Sequence, residues 1–418
     1  MTTDIEAIAL PTIAYGFDTQ PDQMRQLLAA ARRKGPIALG PFGPEVLSYD
    51  LVRTVLRDSR FVVPKGISLV LQGITSGPIW DRVTKQLLSL DGADHQRLRR
   101  LVARSFTPRA AERMRTACVE VITELVDRHA DTGHCDVVAD IARPYPVPII
   151  CALLGAPRDD WHLFSGWAAD IAKAFGCSVV EHEATILRAW TGLSSYVEEL
   201  IAARRRSLSD DLLSELIRTD DPTYPGERLT HGELVNLVII LLNAGTDSVR
   251  NQLAAAVQAL ADHPEQWELL ASHPELAGQA VEELIRHSPI LLGALRKVRE
   301  DGAAVELGGV VFPAGSLVIA NASAANRDPA VYDDPDRLDI TRDGPPVMLT
   351  FGGGVHYCLG AHLARVELAE ALRVMTARMS KVRRTGPAPW KPLTDLSGPI
   401  TLPLDFKSRH AAAVCPVR

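Results

Sequence analysis

The chain has 418 residues, 46% hydrophobic and 23% charged, the composition of a globular protein with a core large enough to enclose a cofactor. Its formal charge of −6 excludes a strongly basic, nucleic-acid-binding protein. The six cysteines, Cys118, Cys135, Cys151, Cys177, Cys358 and Cys415, form no CxxC pair, so a reduced, cytoplasmic chain without a disulfide frame is expected.

Met1 to Leu10 holds two acids, no basic residue and no apolar run of signal-peptide type. Residues 36–64 are rich in Gly, Pro, Val and Phe, with turns at Gly40-Pro41 and Gly43-Pro44, and predict short strands in a small sheet. From Asp94 to Ala203 the pattern is mostly helical. Met114, Val121, Leu125 and Val126 recur at helical spacing, and Pro146 and Gly155 mark the ends of a helix. Thr230 with Glu233 three residues on is a capping-box signature for a long helix running to about Asp262, roughly 50 Å at 1.5 Å per residue. Its most apolar stretch, Leu234 to Gly245, is interrupted by Asn236 and Asn243 and is too short to span a bilayer, so no membrane anchor is expected. A helix from about Pro274 to Arg286, strands within 303–320, a last long helix from about Leu359 to Met379 and short strands around 393–406 complete the chain. The fold class is mainly α with a minor β region, read as a single domain over 1–418. Its β-rich part lies at 36–64 and 303–320, and its helical part at 94–290 and 351–380.

Two segments carry chemistry. In Phe351-Gly-Gly-Gly-Val-His-Tyr-Cys-Leu-Gly360 a glycine loop delivers Cys358 to the start of a helix, where free N–H groups and the helix dipole favour the thiolate. Gly352, Gly353, Gly354 and Gly360 let the backbone approach a flat, bulky group, Phe351 shields the sulfur, and His356 faces an acidic edge of that group. A structural cysteine in a turn is the competing reading, and it is the reading for the other five cysteines. In the long helix, Ala244-Gly-Thr-Asp-Ser248 places a glycine, an acid and a hydroxyl among apolar residues. Ser248 there can turn its hydroxyl to the carbonyl of Ala244, bend the helix and open room for water. A kinked core helix is the alternative.

The glycine loop resembles the FGxGxHxCxG signature of the cytochrome P450 superfamily, filled by Phe351, Gly352, Gly354, His356, Cys358 and Gly360. The resemblance implies the cytochrome P450 fold, a helical bundle around haem with small antiparallel sheets. Cys358 would then be the thiolate ligand of a haem b, and Asp247 and Ser248 would be a catalytic acid–alcohol pair passing protons. Here Ser248 stands where the family usually has Thr, and Val249 where a second hydroxyl is frequent. Ala244 would sit beside the haem, and His95, Arg99, Arg296 and His356 would hold its propionates. Glu283 and Arg286 match ExxR, with Arg337 as the third, structural partner and Arg342 as a second candidate. By family position Ile240, Ala244, Ile290, Leu291, Leu292 and Leu396 line an apolar substrate pocket, to which Ile67, Leu69 and Leu87 add.

The implied activity is insertion of one oxygen atom from O2 into an apolar small molecule, in the soluble bacterial branch. No GxGxxG or flavin segment occurs, so electrons are expected from a ferredoxin and ferredoxin reductase. Arg97, Arg99, Arg100, Arg104, Arg109, Arg113 and Arg115 are the expected steering patch. Two alternatives remain: a peroxide-driven peroxygenase and a non-catalytic haem sensor or binding protein. The absence of CxxCH excludes c-type attachment, and the absence of HExxH speaks against a zinc hydrolase.

Overall fold

The computed structural model describes residues 10–16, 18–157, 160–176, 178–219, 226–344, 346–391 and 396–409. A helix spanning His231–Asp262 runs through the middle of the protein. Thr230 and Glu233 cap it reciprocally: the Thr230 hydroxyl accepts from the Glu233 N–H at 3.2 Å, and the Glu233 carboxylate accepts from the Thr230 N–H at 2.8 Å. Val238, Leu253, Val257 and Leu260 on this helix are fully buried, and helices on several sides pack against it, among them Pro146–Leu154, Trp161–Ala172, Val179–Arg206 and Ala361–Arg378. Each fully buried Leu or Val stabilises the core by about 1.5–3 kcal/mol, so this shared face anchors the helical part. By length and apolar composition alone the central helix and the stretch Val137–Leu154 could cross a membrane, and both are packed against neighbouring elements of this fold.

Among the described residues the β region forms three small sheets. The largest has the order β1–β2–β8–β5–β3, built from Ile37–Gly40, Gly43–Val46, Leu317–Ala320, Ala294–Val298 and Phe61–Val62 respectively. β2 runs parallel to β8 and the other pairings are antiparallel. β6 (Val305–Leu307) and β7 (Val310–Phe312) form a hairpin, and β4 (His134–Asp136), β10 (Pro403–Ser408) and β9 (Met379–Arg384) form a third sheet.

Two expectations change. The segment 36–64 is not strands throughout, because Tyr49–Arg57 is a helix whose buried Tyr49, Val52, Val55 and Leu56 follow the helical period. The strand expected around 393–406 is confined to Pro403–Ser408, with 393–395 outside the described residues.

Candidate active site

Cys358 sits between a tight turn at Gly354–His356 and the helix Ala361–Arg378. Its N–H donates to the Phe351 carbonyl at 2.9 Å, which closes the loop, and its side chain opens onto an internal cavity of about 590 Å³. Gly352 and Gly360 line that cavity, whereas Gly353 and Gly354 serve protein packing. A Cβ on Gly354 would fall 2.6 Å from the Leu56 carbonyl oxygen, and Gly354 also has a left-handed φ of 62°. The loop therefore rests on the Tyr49–Arg57 helix that the sequence concealed. Phe351 also lines the cavity, and the Arg365 guanidinium lies 4.5 Å from its ring centre.

The electrostatics of the sulfur are balanced by opposing causes. Burial pushes the Cys358 thiol up, while the Gly360 N–H, Arg99 and Arg365 pull it down; burial prevails in the protein alone. The Gly360 N–H thus favours the thiolate as the sequence suggests, against the opposing effect of burial, and a cation bound at the sulfur would favour it further.

His95, Arg99, Arg296 and His356 all line this same cavity. The rings of His95 and His356 stack with centroids 4.1 Å apart. Arg99 donates to the Tyr357 carbonyl at 2.5 Å, and Arg296, only 7% exposed on β5, donates to the Leu295 carbonyl at 2.9 Å. Burial lowers the pKa of all four. That of His95 falls to about 4, with His356 and Arg99 adding to the effect. Asp91, 3.5 Å from the His356 ring, is the one carboxylate within ion-pair distance of this group among the described residues. His95 Nδ1 is buried without a hydrogen-bond partner there, while His356 Nε2 has only the 3.5 Å contact with Asp91. A cluster of buried donors facing an apolar hollow fits a flat group with carboxylates at its edge, and a haem has that shape.

The central helix contributes Ile240, Ala244, Gly245, Ser248, Val249 and Gln252 to the same cavity. The Ser248 hydroxyl donates to the Ala244 carbonyl at 2.7 Å, as the sequence suggested. The helix stays continuous across this point. Gly245 has a packing reason, since a Cβ there would come 2.6 Å from Ile150 Cδ1. Asp247 does not line the cavity. Its carboxylate lies 2.8 Å from the Arg250 guanidinium, one turn along the helix.

Ile290 and Leu291 line the cavity as expected, but Leu292 does not; it packs in a separate core with Ile13, Met24 and Leu47. Leu396 is off the wall too and packs on the cluster of Ala255, Ile290 and Trp390. Leu87 lines the cavity, whereas Ile67 and Leu69 do not. Sequence reasoning missed Leu153, Gln252 and Glu367 on the wall. Glu367 was signalled by its position in a buried helical stripe, four residues after Leu363 and four before Ala371. A larger, polar hollow of about 840 Å³ beside the helix Pro21–Arg32 shares none of these lining residues and holds no cysteine.

The ExxR pair is present and buried. Glu283 and Arg286 are each 2% exposed at the side chain and joined by two hydrogen bonds of 2.7 and 2.8 Å. The third guanidinium is that of Arg342, which donates to Glu283 at 3.2 Å. Arg337 offers only its backbone carbonyl to Arg286; its side chain points out to Asp334 and Asp339. The arginine patch is likewise reduced. Arg97 and Arg100 pair with Glu227, Arg97 also with Glu233, Arg113 with Glu215, and Arg115 with Glu112 and Glu370. Arg104 and Arg109 remain exposed.

Known proteins agree with this geometry. The family described as Cytochrome P450 matches residues 169–377. Nocardicin C N-oxygenase of Nocardia uniformis subsp. tsuyamanensis is 38% identical over 381 residues, 88% of this chain and 91% of that protein. Mycinamicin IV hydroxylase/epoxidase of Micromonospora griseorubida is 40% identical over 373 residues, 87% of this chain and 90% of that protein. The crystal structure of CalO2 superposes with a TM-score of 0.85 at 30% identity, covering 94% of this chain and 99% of that one. With the cysteine loop, the buried donors and the apolar wall on one cavity, the chain belongs to the cytochrome P450 superfamily, of bacterial type, as one of its monooxygenases.

Proposed function

We propose that this monooxygenase uses haem b to insert one atom of O2 into an apolar small molecule, in the cytoplasm, with electrons from a ferredoxin and its reductase. The observation that carries the reading is the joint presence of Cys358, the buried donors His95, Arg99, Arg296 and His356, and Ser248 around one largely apolar cavity. When bound, the haem supplies reductive activation of O2 under the push of its thiolate ligand. Cys358 would hold it on one side, with Arg99 and Arg365 beside the sulfur. His95, Arg99, Arg296 and His356 would meet its carboxylates. Ala244 and Ile240 leave space on the other face, and Ile290 and Leu291 press an apolar substrate into it by shape rather than by polar anchors. Ser248 holds a hydroxyl at that face, where it can pass a proton or anchor a water. Oxidation at nitrogen, hydroxylation and epoxidation in the names of two relatives support oxygen insertion as the reaction type.

Titration of the holoprotein with fatty acids, terpenoids, steroids and macrolides tests the reading. A member that shifts the haem spectrum should, with a ferredoxin system and labelled O2, give a product carrying one labelled atom. Product formed only with added peroxide would favour the peroxygenase reading. Tight ligand binding with no turnover under either regime would favour the sensor.

A further inference from the structure

The polar hollow of about 840 Å³ beside the helix Pro21–Arg32 is crowded with guanidinium groups. Arg25, Arg32, Arg33, Arg327 and Arg384 line it, against three carboxylates, those of Asp22, Asp262 and Asp336. The helix supplies three of the five arginines: Arg25 and Arg32 stand two turns apart on the face toward the hollow, and Arg33 follows at the C-cap. The hollow shares no lining residue with the cavity of Cys358, so its occupant is not the molecule that is oxygenated.

The carboxylates do not balance the arginines. Asp22 pairs with Arg25, Asp262 accepts from Arg384 at 2.6 Å, and Asp336 accepts from Arg327 at 2.5 Å. Arg32 instead donates to the uncharged carbonyls of Ala324 and Arg327 at 2.6 and 2.8 Å. Neither Arg32 nor Arg33 has a carboxylate within ion-pair distance among the described residues, and Asp328 and Asp336 act on Arg32 from farther away. Burial, and next the charge of Arg25, lower the pKa of Arg327 to about 10 even with Asp336 beside it. Two positive charges are left over in a concave, partly buried place, where like charges repel more strongly than on an open surface. Met24, Leu28, Ala255 and Trp390 add apolar lining. The Trp390 indole is held in place, its ring N–H donating to Gln258 at 2.7 Å and its backbone N–H to Gln20 at 3.1 Å.

We propose that this hollow is a second ligand site, for a small organic phosphate whose dianionic head meets Arg25, Arg32 and Arg33 and whose apolar body lies against Trp390. A phosphate monoester carries close to two negative charges at neutral pH, which matches the surplus. It also offers three acceptor oxygens to guanidinium groups, whose paired N–H donors suit phosphate geometry. A monocarboxylate would leave one positive charge unbalanced. Binding is reversible, and no covalent bond forms or breaks.

The test is isothermal titration calorimetry of the haem-loaded protein at low salt, with phenyl phosphate, inorganic phosphate and benzoate as probes. Phenyl phosphate should bind with one molecule per chain. It should bind about five-fold or more tighter than inorganic phosphate, which lacks the ring, and than benzoate, which lacks the second charge. In R25Q/R33Q, whose altered side chains form no ion pair beyond their own helix, affinity should fall by about ten-fold or more. Q26E places an acid at an exposed position on the lining, so it should fold as the wild type does and weaken binding several-fold. R104Q/R109Q, outside the hollow, should leave the affinity unchanged. No saturable binding of phenyl phosphate, or binding that neither R25Q/R33Q nor Q26E weakens, would overturn the site. Benzoate bound as tightly as phenyl phosphate removes the dianion from the proposal, and inorganic phosphate bound as tightly removes the apolar body. Capture by phosphatidylcholine vesicles containing phosphatidic acid, without binding of phenyl phosphate, would make the ligand a lipid headgroup and end the small-molecule assignment.

Discussion

Arg342, not Arg337, is the guanidinium that closes on Glu283: its Nε stands 3.2 Å from the carboxylate with only 11% of its side chain exposed, while 62% of the Arg337 side chain is exposed. Arg342 also donates to the carbonyls of Asp333, Asp334 and Arg337, so one side chain ties the Ala277–His287 helix to the segment that leads to the cysteine loop.

Removing that tie should cost far more than removing its neighbour. R342A should lower stability by about 3 kcal/mol, because it strips a partner from a buried carboxylate and frees three carbonyls. R337A should cost about 0.5 kcal/mol or less, as expected for an exposed pair. Denaturant midpoints of the two variants, with equal m-values, check the order.

His287 should make the fold sensitive to acid. Its Nε2 lies 3.2 Å from the Asp336 carbonyl and its Nδ1 3.0 Å from the Ser288 hydroxyl, so the neutral ring is held as donor at one nitrogen and acceptor at the other. Burial first, then Arg327 and other nearby cations, lower its pKa from 6.5 to about 2. The unfolded chain therefore binds the proton first. The stability is fully present above pH 6.5 and is lost as pH falls toward 2, by about 1.4 kcal/mol per unit once the unfolded histidine has titrated. Chemical denaturation between pH 7 and pH 5 should show this slope, and H287Q should flatten it by close to one proton.

Much of the site was legible because its chemistry demands unusual residues. Three glycines before a His and a Cys are an uncommon and entropically costly run that marks the loop, although two of them turn out to seat it on the Tyr49–Arg57 helix. The capping box gives the central helix its start. What stayed hidden depends on three-dimensional packing. Tyr49–Arg57 is a single short helix among Gly- and Pro-rich strands, and its Val and Leu residues suit either structure. The run Ile290-Leu-Leu292 splits between the cavity and another core, and three equally apolar residues carry no signal of where the split falls. Asp247 and Ser248 are adjacent in sequence, yet on a helix they point about 100° apart, and only Ser248 meets the cavity.

Ser248 should govern how oxygen is used rather than whether substrate binds. S248A removes the hydroxyl and leaves the apolar wall intact. Ligand dissociation constants should therefore stay within about two-fold, while product per electron falls by roughly ten-fold or more and peroxide rises. S248T should restore or improve coupling, since the branched side chain fixes the rotamer. Product and peroxide yields per reducing equivalent measure both.

Electron delivery should depend on Arg104 and Arg109, exposed members of the arginine stretch that form no ion pair among the described residues. Reversing both to Glu should slow reduction by an acidic ferredoxin about three- to ten-fold at low salt, with the difference shrinking as salt screens the charges. R113E should do less, because Glu215 already neutralises Arg113.

The most direct measurement is the spectrum of the dithionite-reduced protein under carbon monoxide. The sulfur of Cys358 faces the cavity beside Arg99 and Arg365, so the wild type should give the strongly red-shifted Soret band of a thiolate-ligated haem, and C358H should lose it while still binding haem. A freshly purified, haem-loaded wild type whose Soret band stays at the position of an imidazole-ligated haem would contradict the assignment of Cys358.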